Sequence, residues 1–203
     1  MRKCRRKRKQ EFGFTTTELL VVIAIFAILA SIAIPGYSRW LPSYRLRSAA
    51  RDLYSNFQLM KMEAVRKCTR CALTFEQPIG GETYSYVLYM DADNDLAYDN
   101  DATGDGIDND GDGVIDEPGE TELIIKKVRW ADYKSVDYDT AQGGGDGLDF
   151  FPVIGGLSSI SFRPNGLPTD DLNQPASGTV FLKNTNNRTI RIVLTAGGAV
   201  QIN

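Results

Sequence analysis

The chain has 203 residues, 42% apolar and 24% charged, which suits a packed domain with an appendage and argues against disorder throughout. Net charge is -3, but residues 1–13 carry seven Lys/Arg and one acid, net +6, and the remainder carries 16 basic and 25 acidic residues, net -9. Histidine is absent and no G-x-x-x-x-G-K-[ST] loop is present, which excludes Ser-His-Asp and Cys-His catalysis, His-ligated zinc, covalent haem attachment and P-loop chemistry.

An apolar run follows the basic segment. From Phe14 to Ile34 it holds 21 residues, and between Leu19 and Ile34 Ser31 is the one polar residue. As a helix it spans roughly 31 Å, enough for a bilayer core. The cationic side of such a span stays in the cytoplasm, so the rest of the chain is expected across the membrane. A cleaved secretory signal fits less well. No A-x-A-like site follows the run, which continues as Pro35-Gly36-Tyr37, and an acid, Glu18, sits at its start. A carboxylate in a lipid-facing helix costs about 2.5–3.5 kcal/mol, so a partner for Glu18 is expected.

The segment Gly13-Phe14-Thr15-Thr16-Thr17-Glu18-Leu19-Leu20-Val21-Val22 resembles the class III signal of type IV pilins and type II secretion pseudopilins. The resemblance implies removal of leader 1–13 by a prepilin peptidase after Gly13 and methylation of the new N-terminus, Phe14. It makes Glu18 the fifth mature residue and places Pro35 where the family has a helix-loosening proline. It further implies an inner-membrane protein with its head in the periplasm, delivered by an assembly platform into a periplasmic pseudopilus or an extracellular pilus. Its partners are then other pilins or pseudopilins.

Beyond Pro35, Leu46, Ala49, Ala50, Leu53, Phe57, Met60 and Ala64 recur at three- and four-residue steps. Arg45, Arg47, Arg51, Asp52, Lys61, Glu63 and Arg66 fill the other faces. One helix from about 15 to 66 is predicted, with a membrane or filament-core half (14–35) and an amphipathic half (36–68); Pro42 suggests a bend. From residue 69 to 203 short β-prone runs dominate: 72–75, 84–90, 123–130, 158–162, 179–183, 188–194 and 199–202. Turns are expected at Asn184–Asn187 and Gly197-Gly198. The predicted fold class is α+β, a long N-terminal helix packed on an antiparallel β-sheet head.

The block Ile160-Ser161-Phe162-Arg163-Pro164-Asn165-Gly166, Gly178 to Leu182, Arg188 to Leu194 and Gly197-Gly198 resembles H-type minor pseudopilins and FimT-type minor pilins. DNA-binding members of the latter carry a basic G-R-x-R closing turn. Here the turn reads Gly198-Ala199-Val200-Gln201, and a net -9 repels phosphates, so nucleic acid is disfavoured as a partner. The expected function is a minor pilin or pseudopilin that contributes to fibre initiation, assembly and protein secretion, with no catalytic turnover. A fibre-tip adhesion or DNA-uptake component is the rival reading.

Residues 91–122 hold 13 acids and no Lys or Arg. Left alone such a run is a solvated loop. Asp108, Asp110, Asp112 and Gly113 match D-x-D-x-D-G, in which alternate carboxylates converge on one hard cation. Calcium is the expected cofactor, with the Val114 carbonyl, Asp116 and Glu117 as further ligands. The loop departs from an EF-hand at its twelfth position, Gly119, and resembles the repeats of extracellular, thrombospondin type 3-like modules. A poorer second cluster is Asp91, Asp93, Asp95 and Asp99, with Leu96 in place of the glycine. Of the three cysteines, Cys4 lies in the leader. Cys68 and Cys71 are expected to form a local disulfide in an oxidising periplasm, provided the helix ends between them.

Overall fold

The computed structural model describes residues 14–91, 96–98, 122–150, 153–154 and 156–203. Helix α1 runs from Thr16 to Lys67 and continues through Pro42. Two compact units meet within its length, Met1–Trp40 and Leu41–Asn203. In the first unit, every described residue from Phe14 to Trp40 whose side chain is placed is exposed.

The second unit is the head. Eleven strands are present among the described residues: β1 (Arg70–Ile79), β2 (Glu82–Asp91), β3 (Ile124–Val128), β4 (Val136–Tyr138), β5 (Leu148–Phe150), β6 (Val153–Ile154), β7 (Leu157–Phe162), β8 (Pro168–Thr169), β9 (Gly178–Asn184), β10 (Thr189–Leu194) and β11 (Val200–Ile202). They form two antiparallel sheets. The first has the order β3-β2-β1-β7-β6, with β8 also on β7; the second has β11-β10-β9-β4, with β5 also on β9. The layout is the α+β, pilin-like one that the sequence predicts, with the head divided between two sheets.

All seven apolar positions of the predicted helical stripe, Leu46 to Ala64, are at most 2% exposed. They share one core with β1, β2, β4, β5, β7, β9 and β10. Burial of a side chain such as Phe57 is worth about 3–5 kcal/mol against alanine. A polar tie crosses the same interface: buried Asn56 donates to the Tyr86 hydroxyl at 2.7 Å, and Lys126 Nζ donates to Asn56 Oδ1 at 2.9 Å. Both groups are thereby satisfied where water is excluded.

β9 alternates buried and half-buried residues, as a strand with one core face should. β1 differs, for six consecutive residues from Arg70 to Phe75 are buried. Its second face is covered by a smaller cluster of Ala72, Val87, Tyr89 and Leu96, packed with Tyr84, Tyr98 and Ile124. Both expected turns are present, closed by Asn187 N donating to Asn184 O and Gly198 N to Thr195 O.

Two expectations about the head need correction. The run 123–130 is not all strand, because Trp130 opens a 3₁₀ turn to Tyr133 and buries its ring against Tyr86 and Tyr138. The Cys68–Cys71 bridge is not formed, and both thiols are free. The helix ends at Lys67, just before Cys68, so the pair does not lie inside a regular helix. Cys68, just past the end at φ 55, is exposed, while Cys71 points into the main core from β1. One thiol is thus at the surface, directed to Val65 O, and the other is enclosed in the core.

Candidate functional site

The N-terminal segment is built as a capped, lipid-compatible rod. Thr15 Oγ1 accepts the Glu18 N–H at 3.2 Å, and Thr15 O accepts the Leu19 N–H at 3.1 Å. Thr15-x-x-Glu18 is thus a capping-box pattern, with Glu18 in the first turn where the helix dipole favours an anion. The Glu18 side chain is exposed, and Phe14 is 81% exposed. Ser31 donates its hydroxyl to Ile28 O at 2.7 Å, so the polar group within the apolar run is satisfied inside its own helix. Leu20, Phe26, Ile32 and Ile34 are each 66% exposed or more. Such a surface needs lipid or other helices around it. Gly13 and the leader lie outside the described residues, and Pro35 lies within the helix.

The acidic insertion leaves the head through a closed base. Met90 N donates to Leu123 O at 3.0 Å across its stems. Asp91 and Glu122, one on each stem, are buried. Asp91 faces Arg70 at 3.7 Å, both side chains almost fully enclosed, and Arg70 also donates to Asn173 Oδ1. Leu96 is fully buried, and its carbonyl accepts from the Tyr89 hydroxyl at 2.9 Å and from Thr74 Oγ1 at 3.5 Å. Tyr98 meets Tyr89 edge to face at 5.4 Å. Burial, then the nearby Glu122 charge, push the Tyr98 hydroxyl above its ordinary pKa.

Leu96 has a φ of 68, the left-handed conformation that the glycine of a cation loop adopts at the corresponding place. A leucine holds it at a cost of about 1–2 kcal/mol. Of the second predicted cluster, Asp91 is engaged by Arg70, and Asp93, Asp95 and Asp99 lie outside the described residues. Asp108, Asp110, Asp112, Val114, Asp116 and Glu117 lie outside them too. Among the described residues no three acidic or thiol side chains converge on a common point.

The C-terminal block has a geometric logic of its own. Its two turns, 163–167 and 195–199, close beside Lys61 of α1. A Cβ on Gly198 would lie 3.0 Å from Gly166 O and 3.4 Å from Lys61 Nζ. Gly166 and Gly198 both have φ 76, so each glycine serves a turn and a close approach together. Nothing in the sequence marks Lys61 as underlying both turns, since its spacing on the helix identifies only a non-core face.

Comparison with protein families bears directly on these features. The model of type II transport protein GspH matches residues 49–198, well over half of the chain. The chain belongs to the GspH family. The prokaryotic N-terminal methylation motif matches residues 8–34, which spans the leader end, Gly13, Phe14, Glu18 and the apolar run. Comparison with curated proteins and with solved structures finds no match. The GspH-family match covers α1 from Ala49 onward, β1 to β10 and both turn glycines, Gly166 and Gly198; the methylation motif covers the exposed rod. This pseudopilin therefore combines the membrane-type helix and the β head as two signatures on one chain.

Proposed function

We propose that this GspH-family subunit is cut after Gly13, methylated at Phe14, and inserted through its helix into a type II secretion pseudopilus, where it contributes to fibre initiation, assembly and protein secretion. The observation that carries the reading is the apolar rod, Phe14 to Ile34, exposed at every residue and contributing no side chain to the main core cluster. In the inner membrane, lipid covers that rod; in the fibre, sister helices replace lipid. Glu18 then sets register. Its carboxylate meets the cationic N-terminal amine of a neighbouring Phe14, and each group offsets the other's desolvation. Losing one partner leaves a buried charge, which costs about 3–5 kcal/mol.

The acidic insertion has a second role in this reading. Asp108, Asp110, Asp112, the Val114 carbonyl, Asp116 and Glu117 bind one calcium ion that orders the insertion on its anchored base. Calcium fits the hard oxygen donors and the D-x-D-x-D-G spacing.

N-terminal mass analysis of the subunit isolated from its host tests processing: a methylated Phe14 terminus is expected, and an intact Met1 terminus would overturn the reading. Glu18→Ala should remain membrane-anchored yet be depleted from sheared fibres relative to the unsubstituted subunit. Equal incorporation would remove Glu18 from assembly.

A further inference from the structure

We propose that Tyr37 and Trp40 form a clamp seated in the phospholipid headgroup layer on the head side of the membrane, fixing the depth of the unassembled subunit. The inference rests on the reading of the apolar rod as a membrane anchor. The apolar run ends at Ile34. Tyr37 and Trp40 follow three and six residues later, so they sit about 4.5 and 9 Å beyond the end of the hydrocarbon on a helix along the bilayer normal. The headgroup layer is about 5–7.5 Å thick on each side of the core, so Tyr37 lies within it and Trp40 at its outer edge.

Both rings are outside any protein core, Tyr37 at 62% and Trp40 at 56% exposure, and their centroids lie 6.5 Å apart in a tilted pair. Two large aromatic rings in water cost apolar surface; two in the headgroup layer keep their polar tips wet and their faces in lipid. Arg39 lies between them in sequence and on the opposite side of the helix, where a guanidinium at that depth reaches phosphate oxygens. Phospholipid fits this composition better than a protein partner, because an aromatic pair on one face and a cation on another, directly after a span of bilayer length, suit a layer that surrounds the helix at that depth. The clamp resists sliding of the rod in either direction until sister helices replace the lipid.

The full processed subunit, reconstituted in phosphatidylcholine–phosphatidylglycerol vesicles with brominated acyl chains, provides the test. The chain has two tryptophans, and Trp130 is 3% exposed inside the head. Trp40→Phe therefore isolates the Trp130 signal, and the difference between the two proteins reads Trp40 alone. The expected result is a larger loss of Trp40 emission with bromine near the headgroups than with bromine near the bilayer centre. A larger loss with deep bromine, or no loss with either while alkaline carbonate leaves the subunit in the membrane, would overturn the clamp and leave the anchor standing. Release by carbonate would overturn both.

Discussion

Phe150 and Gly178 face each other as register partners of β5 and β9, and the Phe150 ring occupies the space where a side chain on Gly178 would stand. A Cβ there would lie 2.2 Å from Phe150 Cδ1. Phe150 is buried and stacks near Phe75 at 5.1 Å and Phe57 at 6.4 Å, so the ring has nowhere to retreat. Gly178→Ala should therefore destabilise the head by about 1–3 kcal/mol or more, the range for overpacking a filled core. Gly197→Ala is the control, since a Cβ there meets only Thr195 Oγ1 at 4.0 Å. Thermal unfolding of both variants reads the difference; equal melting temperatures would refute the packing argument.

The two head cysteines should differ sharply in reactivity. Burial, reinforced by the charges of Glu63 and Asp91, pushes the Cys71 thiol up to about 12. Cys68 is exposed. The thiolate is the reactive form. At neutral pH a maleimide should label Cys68 in the folded head and reach Cys71 only after unfolding, as read by peptide mass. Recovery of a Cys68–Cys71 disulfide peptide from native protein would contradict the free-thiol geometry.

Asp139 should contribute to the acid limb of stability. Burial opposes its ionisation, but Thr189 Oγ1 at 2.9 Å, Lys183 Nζ at 3.2 Å and Ala141 N at 3.4 Å donate to it, and together they hold the carboxyl below its ordinary value of 3.8. A depressed folded-state pKa gives stability that is fully present above the unfolded value and lost as pH falls through the folded one. The melting temperature should thus drop below about pH 4. Asp139→Asn should lower it at neutral pH and flatten that drop.

Calcium should stabilise the head if the insertion binds it. An ion that binds only the folded state at tenfold its Kd adds about 1.4 kcal/mol. The melting temperature should rise with calcium over EGTA, and the triple change Asp108→Asn, Asp110→Asn, Asp112→Asn should abolish the rise. The same melting temperature with calcium and EGTA in the unsubstituted protein would leave the insertion merely acidic.

Much of the fold was legible because its signals are local. The stripe from Leu46 to Ala64 and the run from Phe14 to Ile34 state their period and length directly, and seven strands carried β-prone runs long enough to read. The short strands β4, β5, β6 and β8 did not, since each lies in a segment with no apolar run of four or more residues to mark it, whereas the three residues of β11 sit in the run 199–202 after the Gly197-Gly198 turn. Leu96 was read only as a poor substitute for glycine, yet it plugs the second face of the first sheet and takes the left-handed conformation itself. The disulfide expectation failed for a related reason. Spacing gives the separation of Cys68 and Cys71 along the chain and says nothing about which side of β1 faces the core.

Sequence alone determined that this protein is a rod with a β head, because apolar length and helical period are properties of consecutive residues. The tertiary structure decided which strand is buried on both faces, why Gly178 admits no side chain and Gly198 would hold one only under strain, and how Asp91 and Glu122 close the base of the insertion. Those outcomes depend on which distant segments come together, and that pairing is fixed only when the two sheets fold around the helix.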